Sequence, residues 1–224
     1  MLLLALDTAT PAVTVALHDG AGVVAESHQV DARRHGELLL PAVDRVLREA
    51  GAKIDGVTGI VVGVGPGPYT GLRVGLATAA AFGAATGAPV HGLCTLDGIA
   101  YAAGQAGLDG PFTVATDARR KEVYWARYAD PRTRVSEPAV DRPADIAERV
   151  AGAPVVGAGA LLYREVFADV PDGDGMPKYV DAAALAALAA EKLAAGAEFL
   201  PERPLYLRRP DAQVPANYKV VTPK

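Results

Sequence analysis

The sequence contains little cysteine and no cluster of histidines. Cys94 is the only cysteine among 224 residues, which excludes an intrachain disulfide and a cluster of thiolate metal ligands. The four histidines stand at positions 18, 28, 35 and 91, so no two have the i, i+4 spacing that places imidazoles on one helical face for zinc. The serine-nucleophile pattern Gly-x-Ser-x-Gly is also absent. We therefore expect neither a metal site nor nucleophilic hydrolysis.

The sequence also lacks an excess of positive charge. Lysine and arginine total 22 against 26 aspartates and glutamates, and the net charge of −4 argues against a protein that binds nucleic acid by itself. No basic segment precedes the apolar residues before Asp7, so we expect no signal peptide. Residues 74–96 carry no charge apart from His91, but glycine, proline and threonine interrupt them, which predicts a buried helix and strand. We expect a cytoplasmic protein without membrane contact.

Half of the residues are hydrophobic, and most of these are alanine, valine and leucine. Their spacing predicts an α/β protein in which buried strands alternate with amphipathic helices. The strands that we predict in the first half are residues 2–6, 13–17, 23–29, 57–64 and 90–93. The helices that we predict there are residues 37–50, 71–85 and 95–103.

The opening pattern returns after a glycine-rich boundary near residue 107. The predicted strand that ends in Asp117 can be aligned without a gap on the strand that ends in Asp7. The same alignment places Val123 on Val13 in the strands that follow. In both places a buried strand ends in aspartate, a turn follows and a second strand returns, which indicates an internal repeat.

The repeat predicts two related domains, residues 1–108 and 109–200, followed by a proline-rich basic tail, residues 201–224. In the second domain we predict a strand at 155–157 and helices at 144–150, 161–167 and 182–195. Asp181 caps the last of these helices. For the tail we predict a partly extended chain, and we favour solvation of its basic side chains over contact with a polyanion.

Residues 63–75 join a β-branched strand to an alanine-rich helix through a loop of glycine and proline. Such loops often hold a phosphate, because glycines let backbone N–H groups face an anion at a helix N-terminus. Here Pro66 and Pro68 have no N–H, and no lysine follows the glycines. We favour a loop that positions the helix, with direct ligand contact through Gly65 and Gly67 as the alternative.

Asp7 and Asp117 each end a predicted buried strand, where α/β proteins present side chains to a ligand. Two carboxylates related by the repeat can hold a hydrated Mg²⁺ beside a phosphate. Alternatively, each carboxylate caps its own turn through N–H groups two residues further on. For Asp7 both interpretations stay open, whereas Arg119 and Arg120 give Asp117 local partners and favour a structural role.

The second helix repeats a small residue at every fourth position. These residues are Gly71, Gly75, Ala79 and Gly83. A face with so little side chain lets another backbone approach closely. The first helix of the same domain can fill this groove, or the helices of a second protein can complete a bundle there. Leu38 and Leu40, which lie off the core stripe of the first helix, favour the second interpretation.

Several motifs, spread over nearly the whole chain, resemble one family. They are residues 4–10 (LALDTAT), 35–41 (HGELLLP), 65–75 (GPGPYTGLRVG), 117–124 (DARRKEVY) and 205–210 (LYLRRP). Together they resemble the bacterial TsaB proteins, partners of the universal threonylcarbamoyltransferase in tRNA threonylcarbamoyladenosine biosynthesis. The glycine-proline motif is the most specific, and it departs from the family only where Pro68-Tyr69 replaces Ser-Phe.

The resemblance implies a duplicated fold of the actin, Hsp70 and sugar-kinase (ASKHA) type, with two domains whose mixed five-stranded sheets are flanked by helices. It implies a scaffold without catalysis of its own, which supports threonylcarbamoyl transfer to N6 of adenosine 37 in tRNAs reading codons that begin with A. The catalytic relative has a paired-histidine metal site, which this sequence lacks. The related Asp-x-Gly-Thr phosphate motif is here Asp7-Thr-Ala-Thr10, without the glycine that allows close backbone approach.

The implied partners are the catalytic homologue (TsaD) and a P-loop ATPase subunit (TsaE), with tRNA reached indirectly and a homodimer when the chain is alone. The residues expected at the interface with the catalytic homologue are His35, Leu38, Leu39, Gly71, Arg73, Gly75, Ala79 and Phe82. No cofactor is expected in the isolated chain, and ATP or ADP with Mg²⁺ is expected only in the complex. The residues expected to face such a nucleotide are Asp7, Thr8, Gly65, Gly67 and Asp117.

Three other functions compete with this one. An active ATP-dependent kinase, or an acyl or carbamoyl transferase of the same fold, would bind Mg·ATP through Asp7, Asp117 and the glycine loop. The two prolines of that loop argue against it. A zinc glycopeptidase would need the missing histidine pair. The third function, a free-standing interaction module unrelated to tRNA, is possible only if the resemblance to the TsaB proteins is misleading.

Overall fold

The computed structural model describes residues 1–171, 173 and 175–208, which form two mixed β-sheets with helices on both sides of each. The predictions for the tail beyond residue 208 lie outside the described residues. In the part that is described, layers of helices and sheets alternate, and three hydrophobic clusters fill the spaces between them.

The first sheet contains the buried runs that begin the chain. Its strands are Leu3–Asp7 (β1), Ala12–His18 (β2), Val23–Val30 (β3), Gly59–Gly63 (β4) and Val90–Leu93 (β5). Their order in the sheet is β3-β2-β1-β4-β5. Strand β2 is antiparallel to β1 and β3, whereas β1, β4 and β5 are parallel. All five predicted strands are therefore confirmed.

Three helices follow these strands, and two of them cover one face of the sheet. They are His35–Glu49 (α1), Tyr69–Thr86 (α2) and Thr95–Gln105 (α3). Because neighbouring strand residues point to opposite faces, Leu4 and Leu6 pack towards α1 and α2, whereas Leu3 and Ala5 lie on the other face, in a buried cluster that also contains residues of α3. Leu39 is buried in the α1–α2 core, so its predicted place at a partner interface is wrong.

The second sheet repeats the central arrangement of the first. Its strands are Phe112–Asp117 (β6), Val123–Asp130 (β7), Thr133–Arg134 (β8), Ala139–Asp141 (β9) and Val155–Val156 (β10). Strand β6 is antiparallel to β7 and parallel to β10, just as β1 is antiparallel to β2 and parallel to β4. The internal repeat that the sequence indicates is present in the fold.

The ungapped alignment of the two hairpins is one residue out of register. Asp7 pairs with Thr14 across the first hairpin, and Asp117 pairs with Val123 across the second. Val123 therefore corresponds to Thr14 and not to Val13. The reason lies in the second turn, where three consecutive residues with positive φ angles make the connection one residue shorter.

Three further α-helices follow within the described residues. They are Pro143–Val150 (α4), Ala158–Leu162 (α5) and Ala182–Ala194 (α6). Asp181 caps α6 as predicted, because its side chain accepts the N–H of Ala183 at 2.9 Å. The helix predicted at 161–167 is wrong. Gly157, with φ of 102°, turns the chain into a helix that starts three residues earlier and ends at Leu162.

Helices α3 and α6 lie between the two sheets. Helix α6 packs against β1 and β2, and α3 packs against β6 and β7. Residues of both helices join Leu3, Ala5, Phe112 and Tyr128 in one buried cluster. Helix α6 follows the second sheet in sequence but covers the first, so the two halves share a core, and a boundary at 108/109 stays a prediction.

The segment after α6 returns to the first sheet. Leu200 forms an antiparallel bridge with Gly92 of β5. Further on, the N–H of Leu205 donates to the carbonyl of Val64 at 2.8 Å, just beyond β4. The segment from Leu200 to Leu205 is therefore part of the folded structure, and it crosses the carboxyl ends of β5 and β4.

Arg208 carries this segment across to the second sheet. Its guanidinium donates to the carbonyl of Ala118 at 2.7 Å and to that of Arg119 at 3.3 Å, and it forms an ion pair with Glu122. The solvated role that we favoured for the tail's basic side chains is therefore wrong for Arg208. This residue fastens the end of the described chain to the turn between β6 and β7.

The small-residue face of α2 is filled from within the chain. A Cβ on Gly71 would overlap the carbonyl of Thr8, and one on Gly75 would lie 2.6 Å from the Thr8 hydroxyl. Ala79 is fully buried on the same side of the sheet. The prediction that Gly71, Gly75 and Ala79 form a partner surface is therefore wrong. The turn after β1 occupies the groove that we had assigned to another helix.

This packing predicts opposite effects for two glycine-to-alanine changes. Gly75→Ala forces its methyl group onto Thr8, and overpacking of this kind costs about 1–3 kcal/mol of unfolding free energy. At Gly36 in α1, an added methyl group has no atom within 4 Å. Because alanine has the higher helix propensity, Gly36→Ala should leave the unfolding free energy unchanged or raise it by at most about 1 kcal/mol. Urea unfolding of both variants measures the difference. Equal stabilities would show that the groove is not filled by Thr8.

Candidate functional site

The carboxyl ends of β1 and β6 meet at a cleft of about 270 Å³. Its walls are the turns that follow these two strands and the first turns of α1 and α2. The polar residues that line it are Thr8, Thr10, Arg33, His35, Thr70, Asp117 and Arg119. β1 and β6 are equivalent strands of the repeat, and their carboxyl ends face each other across the cleft. In α/β proteins, ligands bind at the carboxyl ends of strands.

Asp7 is fully buried and does not line this cleft. Its carboxylate accepts the N–H of Ala9 at 2.6 Å and the hydroxyl of Thr95 at 2.7 Å. A Cβ on Gly63 would overlap the same carboxylate. Burial raises the pKa of Asp7 to about 6, although both hydrogen bonds lower it. The expectation that Asp7 faces a nucleotide is therefore wrong, and its capping of the turn is confirmed.

Thr8 is also turned inward, towards α2. Its hydroxyl donates to the carbonyl of Gly71 at 2.7 Å and accepts the N–H of Gly75 at 2.9 Å. In an undisturbed α-helix these two groups pair with each other. The Thr8 hydroxyl is thus committed to α2, and it fixes the helix against the turn after β1.

The glycine-proline loop packs against the same turn. The N–H of Gly65 donates to the Thr95 hydroxyl at 3.1 Å, and a Cβ on Gly67 would overlap the backbone of Ala9. Both glycines are buried. The expected nucleotide contact of Gly65 and Gly67 is therefore wrong, and the structural role that we favoured for the loop is confirmed.

His35 joins the start of α1 to the turn after β1. Its Nε2 lies 2.8 Å from the carbonyl oxygen of Thr10. Because a carbonyl only accepts hydrogen bonds, Nε2 carries a proton and donates it here. His35 therefore forms part of the cleft wall, and its partly buried ring is committed to a structural contact.

The turn after β6 presents a different arrangement from that after β1. Asp117 lines the cleft and accepts the N–H of Arg119 at 2.8 Å, and its other oxygen lies 3.3 Å from the Arg119 guanidinium. This is the structural role that we favoured for Asp117. Arg119, Arg120 and Lys121 have φ angles of 62°, 57° and 62°. Left-handed backbone costs roughly 1–2 kcal/mol for each residue that is not glycine.

The cleft is suited to binding an anionic group. Arg33 comes from the first half of the chain and Arg119 from the second, and threonine hydroxyls lie around them. Asp117 is the one carboxylate in this lining, and its oxygens are engaged with Arg119. These side chains can bind and orient an anion, and they form no paired acid and base for proton transfer.

Other reactive groups lie outside the cleft. Cys94 is buried, and burial raises the pKa of its thiol well above the usual range, so it stays protonated. Across the described residues, no three His, Cys, Asp or Glu side chains are grouped to hold a metal ion. Within the same ranges, none of the helices combines the length and the apolar character needed to cross a membrane.

Some of the predicted interface residues do lie on the outer surface of α1 and α2. Arg73 is exposed, and Leu38 and Phe82 are half-buried. The Arg73 guanidinium donates to the Tyr69 hydroxyl at 2.7 Å and lies 4.9 Å from the centre of its ring. Leu40 is exposed on the neighbouring helix. This outer helix surface remains available to a partner.

Sequence reasoning missed Thr95, Arg33 and Arg208 as parts of this region. Thr95 is 88 positions from Asp7, whose carboxylate it bonds, and Arg208 is 90 positions from Ala118. No spacing rule connects residues so far apart. The one available signal for Thr95 was its place directly after a predicted strand, where side chains often meet at a sheet edge.

The two sheets, their repeated strand order and the cleft between their carboxyl ends define a protein of the ASKHA class. The five-stranded mixed sheets expected for both halves are confirmed. In this chain the carboxylate at the end of β1 is sealed inside the protein.

Comparisons with known proteins identify the family. The family model described as TsaD, tRNA N6-adenosine threonylcarbamoyltransferase, matches residues 14–171. The chain belongs to this family and, within it, to the TsaB proteins. An uncharacterized protein of Mycobacterium tuberculosis is 46% identical over 215 residues, which cover 94% of this chain and 93% of the relative.

Relatives named for tRNA threonylcarbamoyladenosine biosynthesis match a shorter part of the chain. The tRNA threonylcarbamoyladenosine biosynthesis protein TsaB of Escherichia coli is 35% identical over 128 residues, 57% of this chain and 55% of that protein. The solved structure of YeaZ from Pseudomonas aeruginosa has a TM-score of 0.77 at 30% identity and covers 92% of this chain and 99% of its own. YeaZ is TsaB.

The buried carboxylate predicts a pH-dependent difference between the protein and its Asp7→Asn variant. The folded-state pKa of about 6 exceeds the ordinary 3.8, so the folded protein holds its proton more tightly than the unfolded chain. The stability that protonated Asp7 contributes to the fold is therefore fully present below about pH 4 and is lost as pH rises to about 6. At about 1.4 kcal/mol per pKa unit, the loss is ~3 kcal/mol.

Urea unfolding of both proteins at pH 4 and pH 8 measures this effect. All other titrating groups are shared, so the change with pH in the stability difference isolates Asp7. From pH 4 to pH 8, we expect the unfolding free energy of Asp7→Asn to increase relative to that of the unsubstituted protein. A stability difference that stays constant would show that Asp7 ionises normally in the folded protein.

Proposed function

We propose that the chain is a non-catalytic scaffold subunit in tRNA threonylcarbamoyladenosine biosynthesis. In this role it pairs with the catalytic threonylcarbamoyltransferase homologue and supports threonylcarbamoyl transfer to N6 of adenosine 37, in tRNAs reading codons that begin with A. The name of the E. coli relative supports the pathway, and the description of the matching family model supports the kind of partner.

The state of Asp7 is the observation that carries this proposal. A carboxylate that holds Mg²⁺ or transfers a proton needs oxygen lone pairs that face the substrate. The Asp7 carboxylate is instead committed to Ala9 and Thr95 and is covered by Gly63. Asp7, at the position where a nucleotide-binding carboxylate is expected in this fold, therefore stabilises the protein interior. A scaffold subunit does not need a carboxylate that is accessible to a nucleotide at this position.

We assign the outer face of α1 and α2 to the catalytic partner. Leu40 is 54% exposed there, Tyr69 and Arg73 form an exposed aromatic and cationic pair, and Phe82 is half-buried. Aromatic and arginine side chains are enriched at the centres of protein interfaces, and an exposed leucine beside them adds apolar area for a partner to bury. Two adjacent helices also offer ridges and grooves into which partner helices can pack.

The remaining parts of the proposal concern the assembly. A P-loop ATPase subunit joins the pair, and ATP or ADP with Mg²⁺ binds only in the complex. Without the catalytic homologue, the same helix surface forms a homodimer. The complex works in the cytoplasm, where tRNA is modified.

Reconstitution with the host's catalytic homologue tests the proposal. The two proteins should co-purify, and modification of an unmodified tRNA transcript should require both. The isolated chain should neither modify tRNA nor bind Mg·ATP in calorimetric titration. Modification by the catalytic homologue alone at the full rate would contradict the scaffold role. Stoichiometric Mg·ATP binding by this chain would favour an active transferase or kinase.

A matched pair of leucine variants tests the partner surface. Leu40→Glu places a charge on the α1–α2 face and should weaken association with the catalytic homologue about tenfold or more, because a desolvated charge there costs more than about 1.4 kcal/mol. Leu162→Glu in α5 is the control, since Leu162 is 59% exposed on the far side of the second sheet.

Calorimetric titration measures the affinities, and melting curves of both variants check the fold. We expect normal melting for both proteins and weaker association for Leu40→Glu alone. Unchanged affinity for that variant would place the interface on another face of the chain.

A further inference from the structure

The turn between β6 and β7 carries three consecutive cations on an unfavourable backbone. Arg119, Arg120 and Lys121 lie in the left-handed region, which suits glycine and asparagine much better. All three side chains are exposed, so the hydrophobic core does not depend on them. The chain therefore keeps three cations at a place where smaller residues would fit the backbone with less strain. Strain at exposed, charged positions indicates a role for the side chains themselves.

The turn is held rigidly from several directions. The N–H of Ala118 donates to the carbonyl of Glu122, and the N–H of Glu122 donates to the carbonyl of Arg119, both at 3.0 Å. Asp117 accepts the N–H of Arg119 at 2.8 Å, and Arg208 donates to the carbonyls of Ala118 and Arg119. The three cations are thus presented on a fixed backbone, which reduces the entropy lost on binding.

A fourth cation comes from the opposite half of the chain. Arg33, exposed just before α1, lines the cleft together with Arg119. The hydroxyl-bearing residues Thr10 and Thr70 line the same cleft. The chain as a whole has a net charge of −4, so this concentration of positive charge is local. It surrounds the carboxyl ends of β1 and β6.

We propose that Arg33, Arg119, Arg120 and Lys121 form a contact surface for the phosphate backbone of the tRNA undergoing modification. This inference rests on the proposed function and extends it with a direct contact to tRNA, whereas the resemblance to TsaB implies that the chain reaches tRNA only indirectly. Arginine, lysine and threonine side chains are the usual donors to phosphate oxygens. An acidic protein would pair with the cations as well, but the apolar surface assigned to a protein partner lies elsewhere, on α1 and α2.

The acidic net charge is compatible with this surface. Four cations neutralise only a few phosphates, and the rest of the chain repels RNA, so the contact adds to the binding by the assembled complex. The test therefore uses the complex of the full chain with its catalytic homologue. The probe is an unmodified tRNA transcript that reads a codon beginning with A.

The test variant replaces the three cations by the residue that the backbone favours. Arg119→Asn, Arg120→Asn and Lys121→Asn together remove three charges and ease the left-handed strain, so melting temperature should be unchanged or higher. The affinity of the complex for tRNA should fall about tenfold or more. The slope of log K against log salt should become shallower by about 2, since each lost phosphate contact contributes roughly 0.7.

The matched control removes three charges far from the cleft. It combines Lys53→Gln, Arg127→Gln and Arg149→Gln, all exposed residues. Lys53 precedes β4, Arg127 pairs with Thr113 near the start of β6, and Arg149 lies in the last turn of α4, which precedes β10. The control should change the tRNA affinity by less than about twofold. Equal losses in both triple variants would show that only net charge matters and would overturn the proposal.

Lysine acetylation of the unsubstituted complex gives a measurement that does not depend on variants. Bound tRNA should protect Lys121 and leave Lys53 reactive, because both are exposed in the free chain. Lack of protection at Lys121 would overturn the proposal. So would a test variant that binds tRNA normally but associates poorly with the catalytic homologue, because the turn would then contact an acidic protein.

Failure of the proposed function gives a different result. If the catalytic homologue modified tRNA fully without this chain, the scaffold role would be contradicted, whatever the state of the turn. If modification required the chain but the test variant bound and protected tRNA like the unsubstituted protein, the scaffold role would stand and the basic turn would be excluded as the RNA contact.

Discussion

The buried carboxylate of Asp7 is the interaction on which the rest of the first half depends. It joins the turn after β1, through Ala9, to the start of α3, through Thr95. The Thr95 hydroxyl in turn accepts the N–H of Gly65, so the glycine-proline loop is tied to the same carboxylate. Because an unpaired buried charge is costly, all these groups must keep their positions together. The start of α2 is thereby fixed as well, through Thr8 and Gly71.

The repeat produced two equivalent strand ends that now serve different purposes. Asp7 points into the protein and is sealed, whereas Asp117 lines the cleft beside an exposed basic turn. The second hairpin is one residue shorter, and the strained turn that results carries the cations Arg119, Arg120 and Lys121. A single supersecondary unit therefore supplies an internal anchor in one half and a charged surface in the other.

Much of the fold could be predicted from local pattern. The continuous apolar run before Asp7 predicts β1, the long stretch of small, apolar residues predicts α2, and Asp181 caps α6 as its residue type predicts. Other elements could not be predicted locally. The helix at α5 depends on the backbone of Gly157, and the register of the second hairpin depends on three residues whose left-handed conformation their types disfavour.

The sequence by itself determined the succession of strands and helices along the first half of the chain, the repeat, and the absence of paired histidines and of more than one cysteine. Only the tertiary structure decided which way Asp7 faces, what fills the groove beside Gly75, and where Arg208 binds. The physical reason is distance along the chain. Periodicity reports which residues are buried, but the partner of a buried carboxylate or a glycine surface comes from a remote segment, and packing alone selects it.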